Sequence, residues 1–78
     1  MEKMNSRVVL GASVTLLMEP EDETVSYRIV EEKEADIPAG RLSVSSPLAR
    51  ELLGREEGEF ITVDAPGGAR AYRILGVN

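Results

Sequence analysis

Residues 43–54 read SVSSPLARELLG and hold the strongest local folding signal in this chain of 78 residues. Ser46 can accept a hydrogen bond from the free backbone N–H groups of a first helical turn, and Pro47 suits the first helical position because its missing N–H would have no partner there. Leucines then fall on one side of a helix of about two turns, and Gly54 can adopt the left-handed backbone that ends it. A helix this short is not stable alone in water, so its leucine face must pack on a larger structure.

Strands are predicted on both sides of this helix. Apolar residues alternate with polar ones before and after it, and turn-forming residues separate the alternating segments. An acidic connection with Pro38 and Gly40 as breakers separates the second strand from the third, and Pro66 begins a turn near the carboxyl end. The predicted strands are residues 8–18, 25–29, 41–45, 58–65 and 71–77. The order β-β-β-α-β-β predicts an α+β fold, an antiparallel sheet of five strands with one short helix packed on it.

The alternation also predicts which side chains form the core. In the last strand Leu75 and Val77 point away from Tyr72 and Ile74, so either both faces are covered there or one apolar face meets a partner. The expected core residues are Leu10, Val14, Leu16, Val25, Tyr27, Ile29, Val44, Leu48, Leu52, Leu53, Ile61, Val63, Tyr72 and Ile74.

The net charge of −5 comes from one segment of the chain. Residues 19–36 hold eight acidic and two basic residues, whereas residues 37–78 hold five of each. A local acidic field disfavours direct contact with nucleic acid or an anionic membrane and favours a basic protein surface. We therefore predict a protein partner, no direct binding of nucleic acid and no membrane.

The whole chain, residues 1–78, is predicted to be a single domain with a flexible lead at residues 1–6. Lys3 and Arg7 precede an apolar run as in a secretory signal, but that run contains Gly11 and lacks a small-residue cleavage site. It is also shorter than the roughly 20 residues of a membrane span. Together with the absence of cysteine, this favours a cytoplasmic protein.

Few residues in this chain can do chemistry, because it contains neither cysteine nor histidine. The pairs Glu56 with Glu57 and Glu59 with Asp64 could exchange protons, but no pattern around them indicates a pocket that separates their pKa values. The acidic segment that includes Glu31, Glu32, Glu34 and Asp36 lacks the ligand spacing of a calcium loop. We predict no enzymatic activity, no metal and no cofactor.

Several segments together resemble the carboxy-terminal domain of the bacterial Gre transcription elongation factors, the GreA and GreB family, which also includes Rnk-like proteins. The resemblance runs from about Arg7 to Val77 and rests on VLGASVTL at residues 9–16, YRIV at 27–30, EAD at 34–36, SVSSPLARELLG at 43–54 and PGG at 66–68. It implies an FKBP-like fold. Peptidyl-prolyl isomerase activity is not expected, since the aromatic residues are one Phe, two Tyr and no Trp.

The resemblance also implies a partner. In Gre factors this domain docks on the coiled coil at the rim of the RNA polymerase secondary channel, in the largest subunit, and a separate amino-terminal coiled coil carries the acidic residues for transcript cleavage. The chain is therefore expected to bind polymerase and modulate elongation without cleavage activity. The implied partner-binding residues are Ser45, Ser46 and Pro47, to which we add Arg50; some relatives have an acidic or amide residue where Ser45 stands.

A second hypothesis is a small structural or assembly domain that acts by homodimerisation or by binding an unrelated protein. Its surface would be the apolar last strand and the helix face. Between these oligomeric states we favour the monomer. The serine and proline at the helix start also have a purely structural interpretation as caps.

Overall fold

The computed structural model describes residues 7–65 and 67–78, so the predicted lead at residues 1–6 and Pro66 of the predicted turn lie outside the described residues. The strands are β1 (Ser13–Glu19), β2 (Glu23–Val30), β3 (Arg41–Ser43), β4 (Phe60–Ala65) and β5 (Gly68–Val77), and the helix is α1 (Pro47–Leu52). In the described part of the chain no helix is long and apolar enough to cross a membrane.

The five strands form one sheet in the order β3-β2-β1-β5-β4. The predicted α+β arrangement of five strands and one short helix is confirmed, but the sheet is mixed, because β3 runs parallel to β2. The connection between them contains two 3₁₀ turns, Glu32–Glu34 and Ile37–Ala39. Asp36 and Arg41 then exchange backbone hydrogen bonds of 2.8 and 2.9 Å across a tight turn, so the chain reverses twice and returns in its original direction.

A β-bulge in the pairing of β1 with β5 changes which face the last residues of β5 occupy. Thr15 of β1 faces Gly76 of β5 while Leu16 faces Ile74, so Leu75 is an extra residue without an opposite partner. Gly76 lies opposite Thr15, on the face away from the core, and Val77 lies opposite Val14 and packs against the core. Leu75 remains 43% exposed on the other face.

The core lies between one face of the sheet and α1. Of the predicted core residues, Val14, Leu16, Ile29, Leu52, Ile61 and Ile74 are buried. Partly buried and packed against them are Val25, Tyr27, Val44, Leu48, Leu53, Val63 and Tyr72. Three residues that the sequence pattern did not predict are also buried in this cluster: Val8, Leu42 and Ala49. Ala49 is completely buried, and because its side chain is small, α1 can pack close to the sheet.

The prediction for Leu10 is wrong, because this side chain is 50% exposed. β1 begins only at Ser13, since Gly11 has a φ of 94° and the amide of Ala12 donates to the carbonyl oxygen of Val9 at 2.9 Å. This turn breaks the strand periodicity ahead of β1. Val8 instead exchanges backbone hydrogen bonds with the segment after α1 and is buried there.

Candidate partner-binding site

The turn from β3 into α1 is built from three serines. The Ser46 hydroxyl accepts a hydrogen bond from the Ala49 amide at 3.2 Å, so the predicted helix cap is confirmed. The same hydroxyl donates to the carbonyl oxygen of Ser43 at 2.8 Å. On the other side, the amide of Ser45 donates to the Ser43 hydroxyl oxygen at 3.1 Å. These bonds hold the turn in one conformation.

This rigid turn presents two of the predicted site residues to solvent. Ser45 and Pro47 are exposed, whereas Ser46 is half-buried with its hydroxyl already used as both donor and acceptor. The Ser45 hydroxyl lies 2.9 Å from that of Ser43 and retains a side open to a partner. Ser45 and Pro47 are therefore accessible on the surface, whereas Ser46 stabilises the turn.

A shallow open groove continues this surface between α1 and β4. The walls are Pro47, Arg50 and Glu51 of the helix and Thr62, Val63 and Asp64 of the strand. The groove thus brings together Pro47 and Arg50 of the predicted set, while Ser45 and Ser46 lie outside its lining. The β4 side of the groove was not predicted from the sequence. The alternation of residues 60–65 indicates a strand, but only the order of the strands in the sheet places β4 beside α1.

The groove is lined by one basic residue, Arg50, and two acidic residues, Glu51 and Asp64. Arg50 and Asp64 form no ion pair among the residues that the structure describes, while Glu51 lies 3.9 Å from the guanidinium of Arg55. Each wall therefore offers a charged group to a partner. An open groove of this kind suits a protein surface better than a small molecule, which binds in an enclosed, mostly apolar pocket.

Several of the remaining carboxylates in the described part of the chain lie in surface ion pairs. Within residues 7–65 and 67–78 no group of acidic residues is placed to hold a metal ion. Glu56 pairs with Arg7 at 2.8 Å and Glu59 with Arg55 at 3.4 Å, so these candidate acid–base groups are engaged in surface ion pairs. In the acidic segment, the guanidinium of Arg41 lies 3.5 Å from the Asp36 carboxylate and its Nε donates to the carbonyl oxygen of Glu34.

The fold and this surface define a small α+β domain with an exposed, capped turn beside a shallow groove. The chain belongs to the family described as "Transcription elongation factor, GreA/GreB, C-term", whose model matches residues 3–78. The fold and the resemblance predicted from the sequence are thereby confirmed.

Relatives and solved structures agree with this assignment. The chain is 53% identical over 72 residues to the transcription elongation factor GreA of Agrobacterium fabrum, covering 92% of this chain and 46% of that protein. It superposes on GreA factor homolog 1 of Thermus thermophilus with a TM-score of 0.81 and 28% identity, covering 100% of this chain and 52% of the other. It also superposes on a GreA/GreB factor from Nitrosomonas europaea with a TM-score of 0.80 and 26% identity, covering 97% of this chain and 63% of the other. The chain thus spans about half the length of the curated relatives it matches.

Proposed function

We propose that this chain is an RNA polymerase-binding module that docks on the rim coiled coil of the largest subunit, near the secondary channel, and modulates transcription elongation. The contact surface is Ser45, Pro47 and Arg50, with Ser46 as its support. The observation that carries this proposal is the exposed serine–proline turn, held rigid in a domain of the GreA/GreB carboxy-terminal family.

Pre-organisation supports binding at this turn. Because Ser43 and Ser46 already fix its backbone, little conformational freedom is lost when a partner covers Ser45 and Pro47. The proline ring has a fixed φ and offers an apolar contact, and Arg50 is exposed beside it in the lining of the groove. The docking unit in this proposal is the monomer.

The distribution of charge supports a basic protein partner. The acidic connection of residues 31–36 adjoins β3, at the opposite edge of the sheet from the groove, so it acts on the encounter with a partner and not through direct contact in the groove. The segment 19–36 has a net charge of −6, which disfavours contact with the nucleic-acid backbone and speeds encounter with a basic surface. The proposed role is therefore binding to the polymerase itself, in the bacterial cytoplasm, with no direct contact to nucleic acid or membrane.

The role needs no chemistry from this chain. In each of the two acid pairs that the sequence offers, one carboxylate lies in a surface ion pair, Glu56 with Arg7 and Glu59 with Arg55. We propose that the chain occupies the polymerase surface and acts on elongation through that occupancy.

Co-elution with core RNA polymerase tests this proposal. The wild-type chain and Ser45→Asp should co-elute with the enzyme, and Pro47→Ala should bind more weakly while its melting temperature stays unchanged. Thr24→Asp, on the exposed face of β2, is the matched control and should behave as wild type. The proposal is wrong if neither the wild type nor Ser45→Asp binds.

The alternative of assembly through the last strand and the helix face finds less support. Val77, Leu48 and Leu53 all pack against the core, which leaves Leu75 as the exposed large apolar residue of that strand. One half-exposed leucine provides little area for a stable interface.

A further inference from the structure

The open edge of β4 is a second surface on this domain. β4 is the last strand in the sheet order, so within residues 7–65 and 67–78 one side of its backbone has no neighbouring strand. The amide of Ile74 in β5 donates to the carbonyl oxygen of Glu59 at 2.9 Å, which makes Glu59 a position that faces β5. Since facing positions alternate along an antiparallel strand, the backbone groups of Phe60, Thr62 and Asp64 point to the open side.

This edge lacks most of the features that prevent an exposed strand from pairing with a strand of another molecule. β4 reads FITVDA, with no lysine or proline and with Asp64 as its charged residue. The acidic connection that follows β2 lies beside β3, at the far edge of the sheet. When the β4 edges of two copies approach, the acidic connections of the two copies stay far apart.

We propose that β4 pairs with β4 of a second copy of this chain in an antiparallel, two-fold symmetric dimer. Thr62 lies opposite Thr62 of the second copy, and Phe60 lies opposite Asp64 of the second copy. This register is the one that engages the outward backbone groups of all three residues on both chains. It joins the two sheets into one continuous sheet.

Charge complementarity supports the register. The Arg73 guanidinium lies over the Phe60 ring, 5.1 Å from its centroid, so it extends from β5 to a side chain of β4. Asp64 of the second copy stands opposite Phe60 on the same face, about one strand spacing of 4.8 Å further on. Neither Arg73 nor Asp64 has an ion-pair partner among the described residues. The symmetry forms this pair twice.

The dimer would also hide the groove. Thr62 and Asp64 line it beside Pro47 and Arg50, so a second copy on β4 covers one of its walls. Self-association and partner docking would then exclude each other, a consequence that rests on the proposed function, whereas the dimer itself does not.

Sedimentation equilibrium over a range of protein concentrations tests the dimer. The wild-type mass should rise from 8.5 kDa towards twice that value. Thr62→Lys places two like charges face to face at the symmetry axis and should keep the mass at the monomer value. Ala71→Lys is the matched control, because Ala71 is the neighbour of Thr62 on β5, away from the edge; it should dimerise as the wild type does. Circular dichroism melting of each variant confirms that it is folded.

A mixing experiment tests the register. Asp64→Arg alone sets arginine against Arg73 of its second copy, and Arg73→Asp alone sets aspartate against Asp64, so each should dimerise only at higher concentration than the wild type. An equal mixture restores opposite charges at both contacts and should recover the wild-type mass. The proposal fails if the wild type stays monomeric, if Thr62→Lys has no effect, if Ala71→Lys is equally disruptive, or if mixing restores nothing. None of these outcomes depends on polymerase binding.

Discussion

The Ser46 hydroxyl donates a hydrogen bond to the carbonyl oxygen of Ser43 at 2.8 Å while it accepts one from the amide of Ala49 at 3.2 Å. One side chain thus connects the last residue of β3 to the first turn of α1. This connection fixes the orientation of the turn that exposes Ser45 and Pro47 on the surface. Folding and the proposed contact therefore depend on the same hydroxyl in different ways.

Replacing Ser46 by alanine removes both bonds. We expect Ser46→Ala to lower the free energy of unfolding by about 1–2 kcal/mol, the usual cost of losing a helix cap. Ser45→Ala, one residue earlier on the exposed side of the turn, should change it by less than about 0.5 kcal/mol. Urea unfolding followed by circular dichroism measures both. Equal effects of the two variants would contradict the distinct roles of the two serines.

Gly54 ends the helix segment with a φ of 85°, and a Cβ added to it would meet no heavy atom within 4 Å. The cost of Gly54→Ala is therefore backbone strain alone, about 1–2 kcal/mol. Gly76 in β5 has similarly open surroundings but no positive φ, so Gly76→Ala should cost much less. Thermal melting compares the two variants, and a larger loss at Gly76 would contradict the assigned backbone.

Leu52 and Leu10 were both predicted to be core residues, so a comparison of the two tests the effect of burial independently of the sequence pattern. Leu52 is fully buried and Leu10 is 50% exposed. Leu52→Ala should cost about 2–5 kcal/mol, which is most of the stability of a domain this small. Leu10→Ala should cost less than about 0.5 kcal/mol. Denaturant titration measures the difference, and similar losses for the two leucines would show that the turn at Gly11 is misplaced.

The sequence predicted those parts of the fold that local chemistry determines. The cap at Ser46, the glycine at position 54 and the alternation in β2 and β4 need no distant neighbour, and each appears where it was expected. The core prediction for Leu10 was wrong because the alternation of apolar residues continues through Gly11 in the sequence, whereas the backbone turns at Gly11. The parallel β3 depends on a double reversal through residues 31–40, which no short pattern encodes.

The candidate site was predictable only in part. Ser45, Pro47 and Arg50 are neighbours in sequence, so a motif can identify them together. Thr62 and Asp64 join them across the groove only because β4 is placed beside α1 by the sheet order. Long-range neighbours of this kind require the tertiary fold.

A negative charge at position 45 should strengthen docking. If the rim surface is basic, Ser45→Asp adds about 0.2–1 kcal/mol, or up to about fivefold in affinity for core RNA polymerase, and the gain should shrink as salt rises. Fluorescence anisotropy of the labelled chain measures this affinity. Thr24→Asp carries the same charge on β2 and should leave it unchanged. A gain from both variants would indicate a non-specific charge effect instead.

Site-specific cross-linking to core RNA polymerase tests the docking surface most directly. The chain has no cysteine, so a single introduced cysteine carries a cross-linker to one known position. Ser45→Cys and Arg50→Cys should cross-link to the largest subunit, and Thr24→Cys, which is also exposed but lies on β2, should not. Cross-links from Thr24→Cys alone, or from none of the three, would contradict docking through the serine–proline turn.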